Sequence, residues 1–187
     1  MRIAAIDVGR RNFAVRAELI DEKGCKPLIY DLVDFEQKVI DRQFLSKITD
    51  YLDEYDWSVY DVICIEGQVA YVKNYGASAI TNMKIQQFLE SYFFIKYRDV
   101  EVCIIPPNSK YPKCLKGLSD SVRKRGAITI AKNIFENRGD TKSLKVLEKA
   151  KRKADDLSDT LLLILAYTKK EPNRFSRNME NPEDYYN

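Results

Sequence analysis

Residues 2–20 read RIAAIDVGRRNFAVRAELI, and the fold turns on how this stretch is taken. Arg2 to Val8 and Asn12 to Ile20 read as two strands, joined by a tight turn at Gly9-Arg10-Arg11. The apolar run Ile3-Ala4-Ala5-Ile6 already has the character of buried β structure. A third strand near Pro27 to Val33 follows a second turn at Glu22-Lys23-Gly24, so the chain opens as an antiparallel meander. Asp7 is the anomaly in it. An ionised carboxylate in an apolar strand costs several kcal/mol unless something replaces its lost hydration. A bound cation would do so; so would capping the turn and pairing with Arg10 or Arg11.

Working outward, Phe44, Leu45, Ile48, Tyr51 and Leu52 recur at helical spacing. Val62 to Ile65 is a short apolar run suited to a buried parallel strand, and it ends in Glu66-Gly67. A long amphipathic helix is predicted over Ile80 to Tyr97, with Ile85, Phe88, Leu89 and Tyr92 on one side. Val100 to Ile105 reads as a fifth strand, stopped by Pro106-Pro107. A helix starting near Ser119 or Ser121 carries Ile128, Ala131 and Phe135; a basic, weakly patterned linker and a helix from about Ala154 to Tyr167 follow. The order β-β-β-α-β-α-β-α-α predicts a mixed sheet with covering helices.

Composition narrows the chemistry. A chain of 187 residues, 45% apolar and 32% charged, is of a size and make-up for one globular domain. It has no histidine, which removes Ser-His-Asp triads, Cys-His dyads and His-ligated zinc or haem together. Cys25, Cys64, Cys103 and Cys114 have neither zinc-site nor C-x-x-C spacing and are expected to be reduced and structural. The longest apolar stretch, Leu161 to Tyr167, falls far short of the ~20 residues that span a bilayer, so no membrane partner is expected. No signal or transit segment precedes the first strand, which points to the cytosol.

Net charge is only +3, but between Lys110 and Lys153 there are 14 Lys or Arg against 4 Asp or Glu. Such a region is either a solvated helical surface or a surface for a phosphate backbone. Tyr71, Lys73 and Tyr75 interleave aromatics with a cation and could stack on bases.

Glu66 repeats the anomaly of Asp7, a carboxylate closing a buried strand, and strand carboxyl ends are where open α/β sheets place ligands. A third group of acids enters the last helix as Lys153-Ala154-Asp155-Asp156-Leu157-Ser158-Asp159. At 100° per residue Asp156 and Asp159 lie together, opposite an apolar face of Leu157, Leu161, Ile164, Leu165 and Thr168. Spacing of i, i+3 brings Cβ atoms within ~5–6 Å, and Asp155 with Asp159 is geometrically as good. Acids in a first turn also favour the helix dipole. Taken together, four carboxylates without histidine describe a site for a hard cation, Mg²⁺ or Mn²⁺. Two such ions can stabilise the attacking and leaving oxygens of phosphodiester hydrolysis.

Three motifs in this order, Asp7-Val8-Gly9-Arg10-Arg11-Asn12, Ile65-Glu66-Gly67-Gln68 and Asp155-Asp156-Leu157-Ser158-Asp159, resemble those of RuvC-like Holliday junction resolvases. The poxvirus and mitochondrial branch is the most similar. The resemblance implies an α/β, RNase H-like domain over residues 1–171: a mixed five-stranded sheet, three antiparallel strands then two parallel, with helices on both faces. Residues 172–187 are left as a polar tail. It implies a homodimer that cuts opposed strands of branched, four-way DNA with Mg²⁺ or Mn²⁺, two ions per site, and no small-molecule cofactor. For a viral member the compartment is the host cytoplasm. Asp7, Glu66, Asp156 and Asp159 are then the metal ligands. Lys124, in Arg123-Lys124-Arg125, takes the place of a basic residue near the scissile phosphate. Gly67 departs from the family pattern, where many members carry a larger residue.

Two alternatives remain in the same chemistry: an RNase H-like nuclease acting on hybrids or single strands, and a noncatalytic DNA-binding protein. An actin-like ATPase would need further glycine-rich phosphate loops, and this chain has only 7 glycines.

Overall fold

Five strands form one sheet in the order β3-β2-β1-β4-β5: β1 (Arg2–Asp7), β2 (Phe13–Asp21), β3 (Gly24–Val33), β4 (Val62–Glu66) and β5 (Glu101–Ile105). The first three are antiparallel neighbours, while β4 runs parallel to β1 and β5 parallel to β4. The computed structural model describes residues 1–36, 39–68, 77–171 and 182–185. Tyr71, Lys73, Tyr75 and most of the polar tail lie outside these.

The helices are α1 (Arg42–Leu52), α2 (Ala77–Lys96), α3 (Asp120–Asn137), α4 (Thr141–Ala150) and α5 (Ala154–Lys170). They cover both faces of the sheet. Alternation along β1 and β4 divides the side chains: Ala4, Ile6, Ile63 and Ile65 pack with α1 and α2 around Phe44, Ile48, Ile85, Leu89 and Phe93. Ile3, Ala5, Val62 and Cys64 pack with Leu163, Ile164 and Tyr167 of α5 on the other face. The two central strands are thus apolar on both sides, which is why they read as unbroken apolar runs. Among the described residues no helix is long and apolar enough to cross a membrane.

The turn between β1 and β2 requires glycine at its first position. A Cβ on Gly9 would stand 2.5 Å from the Asn12 carbonyl oxygen, a clash with backbone that no side-chain movement relieves.

Two sequence expectations are corrected. The basic segment after α3 is the helix α4 rather than a linker. Asp140 caps it, accepting the Ser143 N–H at 3.0 Å. Leu144, Val146, Leu147 and Ala150 join the core under α3 and α5, and the exposed lysines between them mask that pattern. The last helix is also not one-sided, for α5 is buried around nearly its whole girth, enclosed by the sheet, α3 and α4.

Strand β2 carries two charges inward on the α3–α4 side. Arg16 and Glu18 are both fully buried, with Arg16 donating to Glu18 at 2.7 Å and to Ser143 at 3.1 Å. Arg138, following α3, donates to the same Glu18 oxygen at 2.8 Å. The Arg16 guanidinium lies 4.6 Å from the ring centroids of both Tyr30 and Phe135. Ions out of water persist only with partners like these, and here they tie the α3–α4 corner to the sheet.

Candidate metal centre

Asp7 and Glu66 each follow one member of the Ile6–Ile65 pair in the parallel β1–β4 ladder. Two residues before them, Ala5 and Cys64 face α5, so the pleat turns both acids toward α5 as well. From α5, Asp159 joins them. The loop after β5 completes the group: the turn at Pro107–Ser109 delivers Lys110, whose Nζ lies 2.7 Å from Glu66 Oε1 and 2.6 Å from Asp159 Oδ2. Tyr111 donates its hydroxyl to that same Asp159 oxygen at 3.1 Å. Asp7, Lys110 and Asp159 are buried.

The electrostatics are those of a pocket with more negative charge than it can settle. Burial and then the neighbouring charge of Glu66 push Asp7 well above the carboxylate range. The contact between the two carboxyls raises Asp7 and lowers Glu66, so Asp7 is the one held toward the protonated form. Burial alone would raise Glu66 too, but that contact and the Lys110 ammonium hold it low. Burial raises Asp159 despite Lys110. For Lys110, burial opposes the charged form, and the surrounding carboxylates overcome this and hold it firmly protonated.

Asp156 sits one helical turn before Asp159. It lines a cleft of about 400 Å³ with the β1–β2 turn, residues 8–12, and with Thr81 and Asn82 of α2. Burial, then the charges of Asp155 and Asp159, push it up to about 7. Lys124 is half exposed on α3, with Nζ 2.9 Å from Asp155 and 3.9 Å from Asp120. The structure therefore groups Asp7, Glu66 and Asp159 around Lys110, sets Asp156 at the adjoining cleft, and holds Lys124 against Asp155.

Lys110 and Tyr111 are what sequence reasoning missed. Lys110 counted only as the first member of a basic stretch, and no local pattern separates it from the others. Asp155, an alternative ligand by spacing alone, pairs instead with α3.

Among the described residues no three His, Cys, Asp or Glu side chains stand grouped to hold an ion as they are, and Lys110 lies where Glu66 and Asp159 converge. The donor chemistry nonetheless fits a hard divalent cation. Every candidate ligand is a carboxylate, three of them (Asp7, Asp156 and Asp159) are pushed toward the protonated form, and Asp159 Oδ1 is buried without a hydrogen-bond partner.

Solved structures share this architecture. The fowlpox virus resolvase, determined with its substrate Holliday junction DNA, matches with a TM-score of 0.66 at 22% identity, covering 91% of this chain and 98% of that one. The yeast mitochondrial Holliday junction resolvase Ydc2 matches with a TM-score of 0.63 at 12% identity, covering 92% and 83%. RuvC of Thermus thermophilus matches with a TM-score of 0.54 at 17% identity, covering 92% and 97%. The fold is that of these resolvases, mixed sheet and covering helices included. No curated protein matches by sequence. The family model described as Poxvirus A22 protein matches residues 1–171, and the chain belongs to that family.

Proposed function

We propose that this chain is a Holliday junction resolvase, a metal-dependent endonuclease that cuts opposed strands of four-way DNA. The observation that carries the reading is the convergence of Asp7, Glu66 and Asp159 at the carboxyl ends of β1 and β4 and on α5, beside a cleft lined by Asp156. That site lies in the fold of resolvases that include one solved on junction DNA.

Asp7, Glu66, Asp156 and Asp159 would hold Mg²⁺ or Mn²⁺, two ions per site, which would supply Lewis acidity for phosphodiester hydrolysis. The chain's own side chains do the rest. Asp7, which burial and Glu66 hold toward the protonated form, would have to be ionised to serve as a ligand. The cleft between the Gly9–Asn12 turn and Thr81-Asn82 receives the sugar-phosphate strand. Lys124 meets the phosphoryl group as negative charge builds on its oxygens. The exposed lysines of α3 and α4 attract the duplex arms without regard to base sequence.

Paired cuts by a chain with one such site call for two copies. Phe94 and Ile95 on α2 are 73% and 70% exposed, beside a groove of about 410 Å³ lined by Phe94, Tyr97, Val100, Val102 and Ile104 together with Glu90, Ser91 and Arg98. Apolar exposure of this kind supports a homodimer built on α2 and the β5 edge. Membership of a poxvirus family supports the host cytoplasm as the place of action.

The test is cleavage of four-way junctions, linear duplexes, single strands and RNA–DNA hybrids in Mn²⁺. The reading requires symmetric nicks in the junction that vanish in Asp7→Asn, Glu66→Gln, Asp156→Asn and Asp159→Asn while junction binding survives. Preference for hybrids or single strands would make the chain another nuclease of the same fold, and loss of binding in these variants would make the acids structural.

A further inference from the structure

Asp155 and Asp156 are consecutive in the first turn of α5, about 100° apart around the helix axis, and they face different things. Asp156 lines the cleft, whereas Asp155 reaches across to α3 and meets Lys124 Nζ at 2.9 Å. The geometry points to Asp155 as a positioning residue: it holds the Lys124 ammonium at the mouth of the carboxylate site, where a scissile phosphate would arrive. This rests on the role proposed above for Lys124.

Three observations carry it. First, the other acid within reach of Lys124 is already engaged. Asp120, one turn back on the same helix, is taken by Arg123 at 2.7 Å and leaves Lys124 at 3.9 Å. Second, the two acids differ in their surroundings. The Asp120 side chain is 66% exposed and that of Asp155 13%, so the cross-helix contact is less screened and is fixed to a buried helix. Third, the contact fixes the ammonium to the residue next to Asp156, the acid on the cleft wall.

Without that anchor, a half-exposed lysine has four rotatable bonds whose freedom it loses, at a cost in entropy, when it engages a phosphate. Asp155 meets that cost in the folded protein, before substrate arrives. It accepts from only part of the ammonium, which has three donors, so others remain for phosphate oxygens.

The experiment measures single-turnover cleavage of a four-way junction by full-length protein, at saturating enzyme and Mn²⁺, for Asp155→Asn, Asp155→Glu, Lys124→Ala and the double variant Asp155→Asn/Lys124→Ala. Junction affinity and Mn²⁺ affinity by calorimetry are read in parallel, and both report folding. Asp155→Asn should slow the cleavage step about tenfold, less than the ~10²-fold that a 1 Å misplacement can cost, because Lys124 itself remains, with both affinities kept. Asp155→Glu should recover most of the rate. The double variant should be no slower than Lys124→Ala, because the two residues act as one unit.

A wild-type rate in Asp155→Asn beside a slow Lys124→Ala overturns this inference and leaves the role of Lys124 standing. Additive losses overturn it too, since Asp155 would then act apart from Lys124. Weakened Mn²⁺ binding in Asp155→Asn would make Asp155 a ligand instead. If Lys124→Ala itself cleaves normally, the role of Lys124 fails, and the positioning role of Asp155 with it.

Discussion

Lys110 Nζ lies 2.6 Å from Asp159 Oδ2, and the same ammonium reaches Glu66 Oε1 at 2.7 Å, so a side chain from the loop after β5 joins acids from a strand and a helix. Lys110 neutralises part of the charge that a divalent cation is proposed to meet. Removing one member of a buried ion pair costs ~3–5 kcal/mol because its partners are left uncompensated. Lys110→Met should therefore lower the Tm of the metal-free protein by roughly 10 °C at pH 7. The stabilisation gained on adding Mn²⁺ should grow to match. Thermal unfolding with and without Mn²⁺ checks this, and an unchanged metal-free Tm would show that the bridge contributes nothing.

Asp156 gives a pH dependence with a definite sign. Its folded value, pushed up to about 7, lies above its ordinary one, so the folded state holds a proton that the unfolded state has released. The group therefore takes stability away as pH rises from about 4 toward 7, and the full penalty remains at higher pH. Asp156→Asn should raise the metal-free Tm at pH 8 by about 2–4 °C, the effect of ~1 kcal/mol in a domain of this size after allowance for partial exposure. The gain should shrink as pH falls toward 4. A destabilised variant at pH 8 would contradict the assignment.

Much of this was legible in the sequence, and the reasons are local. Ile3-Ala4-Ala5-Ile6 and Val62-Ile63-Cys64-Ile65 are apolar at every position because helices cover both faces, so the strands and the anomalous acids ending them stood out. That Asp7 and Glu66 meet depends on β1 and β4 being parallel neighbours in one particular register, which no short stretch records. Arg16 and Glu18 look like outward positions of a meander strand, and only α3 and α4 folding over β2 turns them into a buried ion cluster. The helix α4 was hidden by its lysines, and Lys110 by the company of other basic residues.

Those lysines bear on affinity. Lys142, Lys145 and Lys149 are exposed on α4. Changing each to Gln should weaken junction binding in proportion and flatten the dependence of log K on log salt by about one unit for every phosphate that is no longer neutralised. The rate of the bound complex should stay the same. Salt titrations of binding measure this, and an unaltered slope would place the DNA elsewhere.

The proposed dimer is tested at Phe94. A charge there, Phe94→Asp, should shift the protein from dimer to monomer in sedimentation experiments and abolish paired nicks. The exposed position predicts little change in monomer stability, within about 0.5 kcal/mol. A dimer that survives would move the interface away from α2.

The proposed chemistry depends on a cation among these carboxylates, and anomalous scattering from crystals grown with Mn²⁺ tests it most directly. Mn²⁺ peaks are expected within ~2.2 Å of oxygens of Asp7, Glu66 and Asp159, with Lys110 displaced from at least one of its present partners. Crystals with no anomalous peak near Asp7, and Lys110 still bridging Glu66 and Asp159, would contradict it.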